Sequence, residues 1–268
     1  MSVSHGRLPG GKARSAKGAH IGLSHGRPKG PLPAGGKARV AGVDALRGGA
    51  LCLMFIYHFA FDLRFYRVIA ADFEHDAFWL GFRAFIVSAF MALAGISLVL
   101  AARASTTPAH FYRRIGVIAA CALAVSVASW WIFPRSFIYF GILHCIAVAT
   151  LLTSSFVRRP RTAFAVGCVV VIAGVLLSHP AFDARALSWI GFTTMKPVTE
   201  DYVPLAPWAG IVLIGIALGH ALTGGILQLP PRFAAAPRWL QWLGRHSLAV
   251  YMVHQPMLLG ALWLVVGR

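Results

Sequence analysis

Residues 44–62 read DALRGGALCLMFIYHFAFD, an apolar run of helix length with ionisable groups at both ends and a histidine inside it. At 1.5 Å of rise per residue the run spans roughly 27 Å, close to the hydrocarbon thickness of a bilayer, so it is read as a first transmembrane helix. Asp44 and Arg47 are three residues apart, Arg47 and His58 eleven, and His58 and Asp62 four. At about 100° per residue all four project within one broad face. Lipid rejects each of these groups, so that face is expected to look into a protein interior that carries chemistry.

The rest of the chain supports a membrane reading. Of 268 residues, 58% are hydrophobic and 12% charged, proportions that belong to polytopic membrane proteins and not to soluble domains. The formal charge of +17 is split between a basic N-terminal tail and short loops. The positive-inside rule explains that distribution better than a nucleic-acid partner, and none is expected. Cys52, Cys121, Cys145 and Cys168 all lie in apolar runs without a CxxC pair, so they read as small core residues. No metal is predicted.

Residues 1–39 are rich in Gly, Pro, Lys, Arg and His and carry a repeat, SHGRLPGGKAR at 4–14 and SHGRPKGPLPAGGKAR at 24–39. This tail is expected to be disordered, with residues 40–268 forming the transmembrane domain. After the first helix, apolar runs at about 78–101, 115–133, 137–156, 162–178, 204–222 and 247–266 complete an expected all-α bundle of about seven spans. The basic tail, Arg158, Arg159, Arg161, Arg232, Arg238 and Arg245 then fall on one side, and every acid except Asp44 on or towards the other. That asymmetry predicts a cytoplasmic N-terminus and an external C-terminus, in a membrane of the bacterial inner type.

Ionisable residues within the spans are the candidates for function. Arg47, about one turn inside the cytoplasmic end, suits bidentate phosphate binding, and Asp44 beside it offers the structural alternative of a helix-anchoring pair. His58 lies about 16 Å farther along the helix, with Asp62 one turn beyond it as a carboxylate able to orient the ring. Arg83, in the second helix, is a candidate to neutralise Asp62 or to stabilise an oxyanion. His144, Tyr251 and His254 are expected to face the bundle interior along a substrate path, with packing roles as the alternative.

Asp44-x-x-Arg47-Gly48 followed by His58 resembles the first-helix signature of integral-membrane acyltransferases. The closer resemblance is to the DUF1624 family, related to the catalytic region of heparan-α-glucosaminide N-acetyltransferase. It rests on VDALRGGALCLMFIYHFAFDL at 43–63, FMALAGISLVLAAR at 90–103, YFGILHCIAVA at 139–149, VPLAPWAGIVLIGIALG at 203–219 and LGRHSLAVYMVHQP at 243–256. The resemblance implies acyl transfer across the membrane, from cytosolic acetyl-CoA to an acceptor on a glycan or another extracytoplasmic amine or hydroxyl. In the heparan branch the catalytic histidine lies in the first extracytoplasmic connection, where His75 best matches, whereas His58 matches the broader acyltransferase pattern. His58 is preferred here because Asp62 lies one turn away and the site is shielded from water. Seven spans are fewer than in relatives, which predicts a smaller donor cavity or one completed in a homo-oligomer.

Other classes fit less well. A transporter would show repeat symmetry and helices broken at matching points in two halves, and the alternative of a non-catalytic membrane assembly protein would be favoured by a sealed bundle with no tunnel from the cytosolic end of the first helix to His58. A haem protein would need histidines paired between helices, and a retinal protein a lysine within a span. All five lysines lie outside the spans.

Overall fold

The computed structural model describes residues 1–2, 34–104 and 106–266, the side chains of 34–39 excepted. The tail expected over 1–39 lies outside the described residues, apart from its first two positions and a helical backbone from 34 onward. The chain from Pro33 on packs as one unit. Among the described residues the secondary structure is helical, with one isolated parallel bridge between Phe140 and Tyr202.

The order is α1 (Ala34–Phe65), α2 (Ala77–Arg103), α3 (Pro108–Ile132), α4 (Ile142–Thr153, extended by a 3-10 turn to Phe156) and α5 (Pro160–Leu176). After these come α6 (Arg185–Ser188), α7 (Leu205–Gly224), α8 (Pro231–Ala234), α9 (Arg238–Arg245) and α10 (Ser247–Val266). Helices α1 from Val40, α2, α3, α7 and α10 are long and apolar enough to cross a membrane, which makes the chain an integral-membrane helix bundle. All seven apolar elements expected from sequence are present, but α4 with its extension and α5 fall short of that length.

Local signals set the ends. Asp76 accepts the Phe78 N–H at 2.8 Å and starts α2, and Thr107 followed by Pro108 starts α3. The fourth helix starts at Ile142, not near Phe137, because the segment around Pro134 forms turns and the Ile142 N–H is taken by Asp201 at 2.8 Å.

Helix α7 is the centre of the bundle and packs most heavily against α2 and α5. Between helices in lipid, close van der Waals packing replaces the hydrophobic drive, and small residues permit it. A Cβ on Gly95 of α2 would collide with the Val212 carbonyl, and one on Gly215 of α7 with the Ala92 carbonyl. Gly167 of α5 and Gly210 of α7 approach each other in the same way. Met91, Val99, Val212 and Ile216 fill the resulting seam and are fully buried. The short amphipathic helix α9, with Trp239 and Trp242 exposed, lies across α1. It can do so because Gly48 meets the Leu240 carbonyl and Gly244 meets the Asp44 carbonyl, with no room for a Cβ at either.

Gly95→Val should therefore force α2 and α7 apart, at a cost of about 1–3 kcal/mol. Thermal unfolding in detergent should show a lower Tm for Gly95→Val and an unchanged one for Gly116→Ala, whose Cβ would meet nothing within 4 Å.

Candidate functional site

The polar face of α1 is satisfied differently at its two ends. At the first, Arg47 donates from Nη1 to Asp44 Oδ1 at 3.3 Å and to the Gly244 carbonyl at 3.4 Å, and from Nη2 to Ser97 Oγ at 2.6 Å. Ser97 is buried on α2 and its hydroxyl donates to the Leu93 carbonyl. The Asp44–Arg47 pair is only 15–17% exposed, and the guanidinium thus ties α1 to α2 and α9 at once. Arg245 lies within electrostatic reach of Asp44, and Arg114 within reach of Arg47, so basic groups collect at this end.

About 22 Å of helix rise away, Asp62 is 1% exposed. It accepts a hydrogen bond from Gln255 Nε2 of α10 at 2.8 Å. The Asp62–His58 hydrogen bond expected from their spacing is not formed among the described residues. Residues four apart stack on one face of a helix, but here the carboxylate reaches across the seam to α10 instead. His58 makes ring contacts, edge-on to Tyr57 at 5.7 Å and to His254 at 4.9 Å. His254 places Nδ1 against the Tyr251 carbonyl, and the neighbouring Gln255 serves Asp62. Tyr251 sits where the core clusters of the bundle meet.

The loop after α1 holds a tighter arrangement. Phe73 is buried against the rings of Tyr57, Phe61 and Trp79 and anchors the loop over the end of α1. Burying a ring of this size stabilises by about 1.5–3 kcal/mol. On either side of that anchor, Asp72 and His75 face each other, with His75 Nδ1 3.0 Å from Asp72 Oδ2 and 3.2 Å from Oδ1. Asp72 also accepts the backbone N–H groups of Glu74 at 2.9 Å and His75 at 3.0 Å. Those two N–H groups, then the His75 ring, hold the Asp72 carboxyl below its usual range. An ionised Asp72 fixes the proton of His75 on Nδ1 and leaves Nε2 with its lone pair. An open depression of about 410 Å³ is lined by Arg64, Ala70, Ala71, Asp72, Glu74 and His75.

Arg83 does not pair with Asp62. Among the described residues it makes no ion pair within 4.0 Å, and it lies within electrostatic reach of Tyr57, Lys196 and Asp201. Burial pushes the Lys196 ammonium down, and Arg83 adds to the effect. Burial pushes the Asp201 carboxyl up, although the Ile142 N–H and the two cations oppose it. His144 is committed to structure: Nδ1 accepts the Gly141 N–H at 3.2 Å, so Nε2 carries the proton, 3.2 Å from Ser126 Oγ.

Sequence reasoning missed Ser97, Gly244, Gln255 and the Asp72–His75 pair. Only the last left a local signal, an aspartate three residues before a histidine at a turn. Among the described residues no three His, Cys, Asp or Glu side chains converge in a way that would hold a metal ion.

The family model described as heparan-alpha-glucosaminide N-acetyltransferase, catalytic, matches residues 39–256. No curated protein and no solved structure matches the chain.

A carboxyl held below its usual range stabilises the fold above its ordinary pKa, and loses that contribution as pH falls through the folded value. The Glu74 and His75 amides should therefore be protected from hydrogen exchange at neutral pH. Protection, corrected for intrinsic rates, should fall below the usual aspartate range in the wild type and be missing throughout in Asp72→Ala.

Proposed function

Because this chain belongs to the heparan-α-glucosaminide N-acetyltransferase catalytic family, we propose that it moves acetyl groups across a membrane. The donor is cytosolic acetyl-CoA, and the acceptor is an amine or hydroxyl, such as one on a glycan, on the far side. The observation that carries this reading is the Asp72–His75 pair in an open depression at the opposite end of α1 from Arg47. A base held by a carboxylate through one ring nitrogen, with the other nitrogen bare, is the arrangement that proton abstraction from an acceptor requires.

In this reading His75 is the general base. Its Nε2 takes the proton of the acceptor amine or hydroxyl as that group attacks the acetyl carbon, and the thiolate of CoA leaves and is protonated. Asp72 orients the ring and balances the imidazolium. Arg64, lining the same depression, supplies positive charge for the developing oxyanion, the part first given to Arg83. The preference for His58 rested on orientation by Asp62 and on shielding from water, and Asp62 turns Oδ1 to Gln255 instead of to the His58 ring. His58 then serves as a wall of the seam between α1 and α10.

The donor end is the basic cluster. Arg47 holds α1, α2 and α9 in register, while Arg114 and Arg245, both exposed, extend the positive field that attracts nucleotide phosphates. The positive tail and the arginines of the loops on that side support a cytoplasmic location for it.

Purified protein in detergent should bind CoA by calorimetry and release free thiol from acetyl-CoA when a suitable acceptor is present. Absence of CoA binding by folded protein would overturn the donor assignment. At equal expression, His75→Ala should lower turnover by about 10²–10⁴-fold, and His58→Ala by much less. Near-wild-type turnover in His75→Ala would move the base elsewhere and leave the class standing. Arg245→Ala should weaken CoA binding while kcat holds.

A further inference from the structure

Where α1 meets α10, the bundle holds a carboxyl, an amide and an imidazole that acetyl transfer as read above does not use. Asp62 and His254 are 1% and 3% exposed. Gln255 Nε2 donates to Asp62 Oδ1 at 2.8 Å, and His254 Nδ1 lies against the Tyr251 carbonyl. A carbonyl oxygen only accepts, so the imidazole proton is on Nδ1 and Nε2 presents a lone pair. Among the described residues three buried atoms are without a partner: Asp62 Oδ2, Gln255 Oε1 and His254 Nε2. With Asp62 ionised all three are acceptors, and nothing among the described residues of the seam donates to them. Neither ion pair among the described residues, Asp44 with Arg47 or Asp72 with His75, involves Asp62, so no cation offsets its charge.

The missing partner is a donor, and it has to fit where packing leaves these atoms no contact with solvent. We propose that the seam between α1 and α10 is a proton-binding site, with Asp62 a neutral carboxylic acid in the folded protein. Its Oδ2–H donates to Gln255 Oε1 while Gln255 Nε2–H donates back to Oδ1, a two-point acid–amide pair. One proton turns an acceptor into a donor, serves a second acceptor, and removes the net charge from the seam. It lets α10 dock on α1 without carrying an ion into the bilayer. The lone pair of His254 Nε2 remains on the same seam, and its ring meets that of His58 at 4.9 Å. The seam therefore stores a proton beside two imidazoles.

Infrared spectroscopy of the full chain in lipid nanodiscs tests this without reading turnover, so its result stands apart from the acetyl-transfer reading. The wild type should show a carboxylic C=O band that shifts in D2O and is lost in Asp62→Asn. Asp62→Asn should also keep its Tm within a few degrees, because an amide pair reproduces both hydrogen bonds. Asp201, a half-buried carboxyl, is distinguished by Gln255→Leu, which should move only the Asp62 band by removing its Nε2–H donor. This second variant keeps the test decisive if Asp62→Asn fails to fold. A wild-type spectrum without a carboxylic band, or a band indifferent to both substitutions, overturns the proposal. So does a Tm that rises with sodium in the wild type and not in Asp62→Asn, which would put a metal cation where the proton is assigned.

Discussion

A bilayer offers polar groups no partner, and α1 carries four of them on one face, so the architecture depends on where those groups find partners within the chain. Arg47 is the best served, with donors to Asp44 beside it, to Ser97 on α2 and to the Gly244 carbonyl on α9. One guanidinium therefore fixes three helices relative to one another. Asp62 is served from α10, a helix exposed over most of its length, and the Tyr66 hydroxyl and the rings of Phe55 and His58 add contacts along the same seam.

Such contacts need the backbones to come close, and the glycines supply the closeness. Gly48 and Gly244 bring α9 onto the very turn that carries Asp44 and Arg47. The Asp-x-x-Arg-Gly signature thus has a packing role before any role in ligand binding, since a side chain at Gly48 would push away the helix whose carbonyl receives Arg47. The same logic at Gly95, Gly210 and Gly215 makes α7 the axis around which α2 and α5 are laid.

The two histidines near the far end of α1 show how burial divides labour. His58 sits inside the seam among rings and has no carboxylate to orient it. His75 stands in solvent, yet the turn that begins at Asp72 grips it through the ring and through its own N–H, and Phe73 pins that turn to the end of the bundle. The loop thus gives His75 both a fixed orientation and exposure, where His58 has burial alone.

Composition and periodicity determined that the chain is an all-α membrane bundle, because 3.6-residue helices long enough to span hydrocarbon are recognisable from apolar run length alone. The charged face of α1 and the motifs that carry the family resemblance were equally legible, since both are local in the chain. What the tertiary structure decided is partnership. Asp62 to Gln255 spans 193 positions, Arg47 to Gly244 spans 197, and Asp201 to Ile142 spans 59. No local pattern encodes which of several polar groups on neighbouring helices will lie opposite one another. Helix spacing placed Asp62 beside His58 correctly in sequence, but hydrogen-bond direction is set by the helix across the seam, and that is a property of the packed bundle.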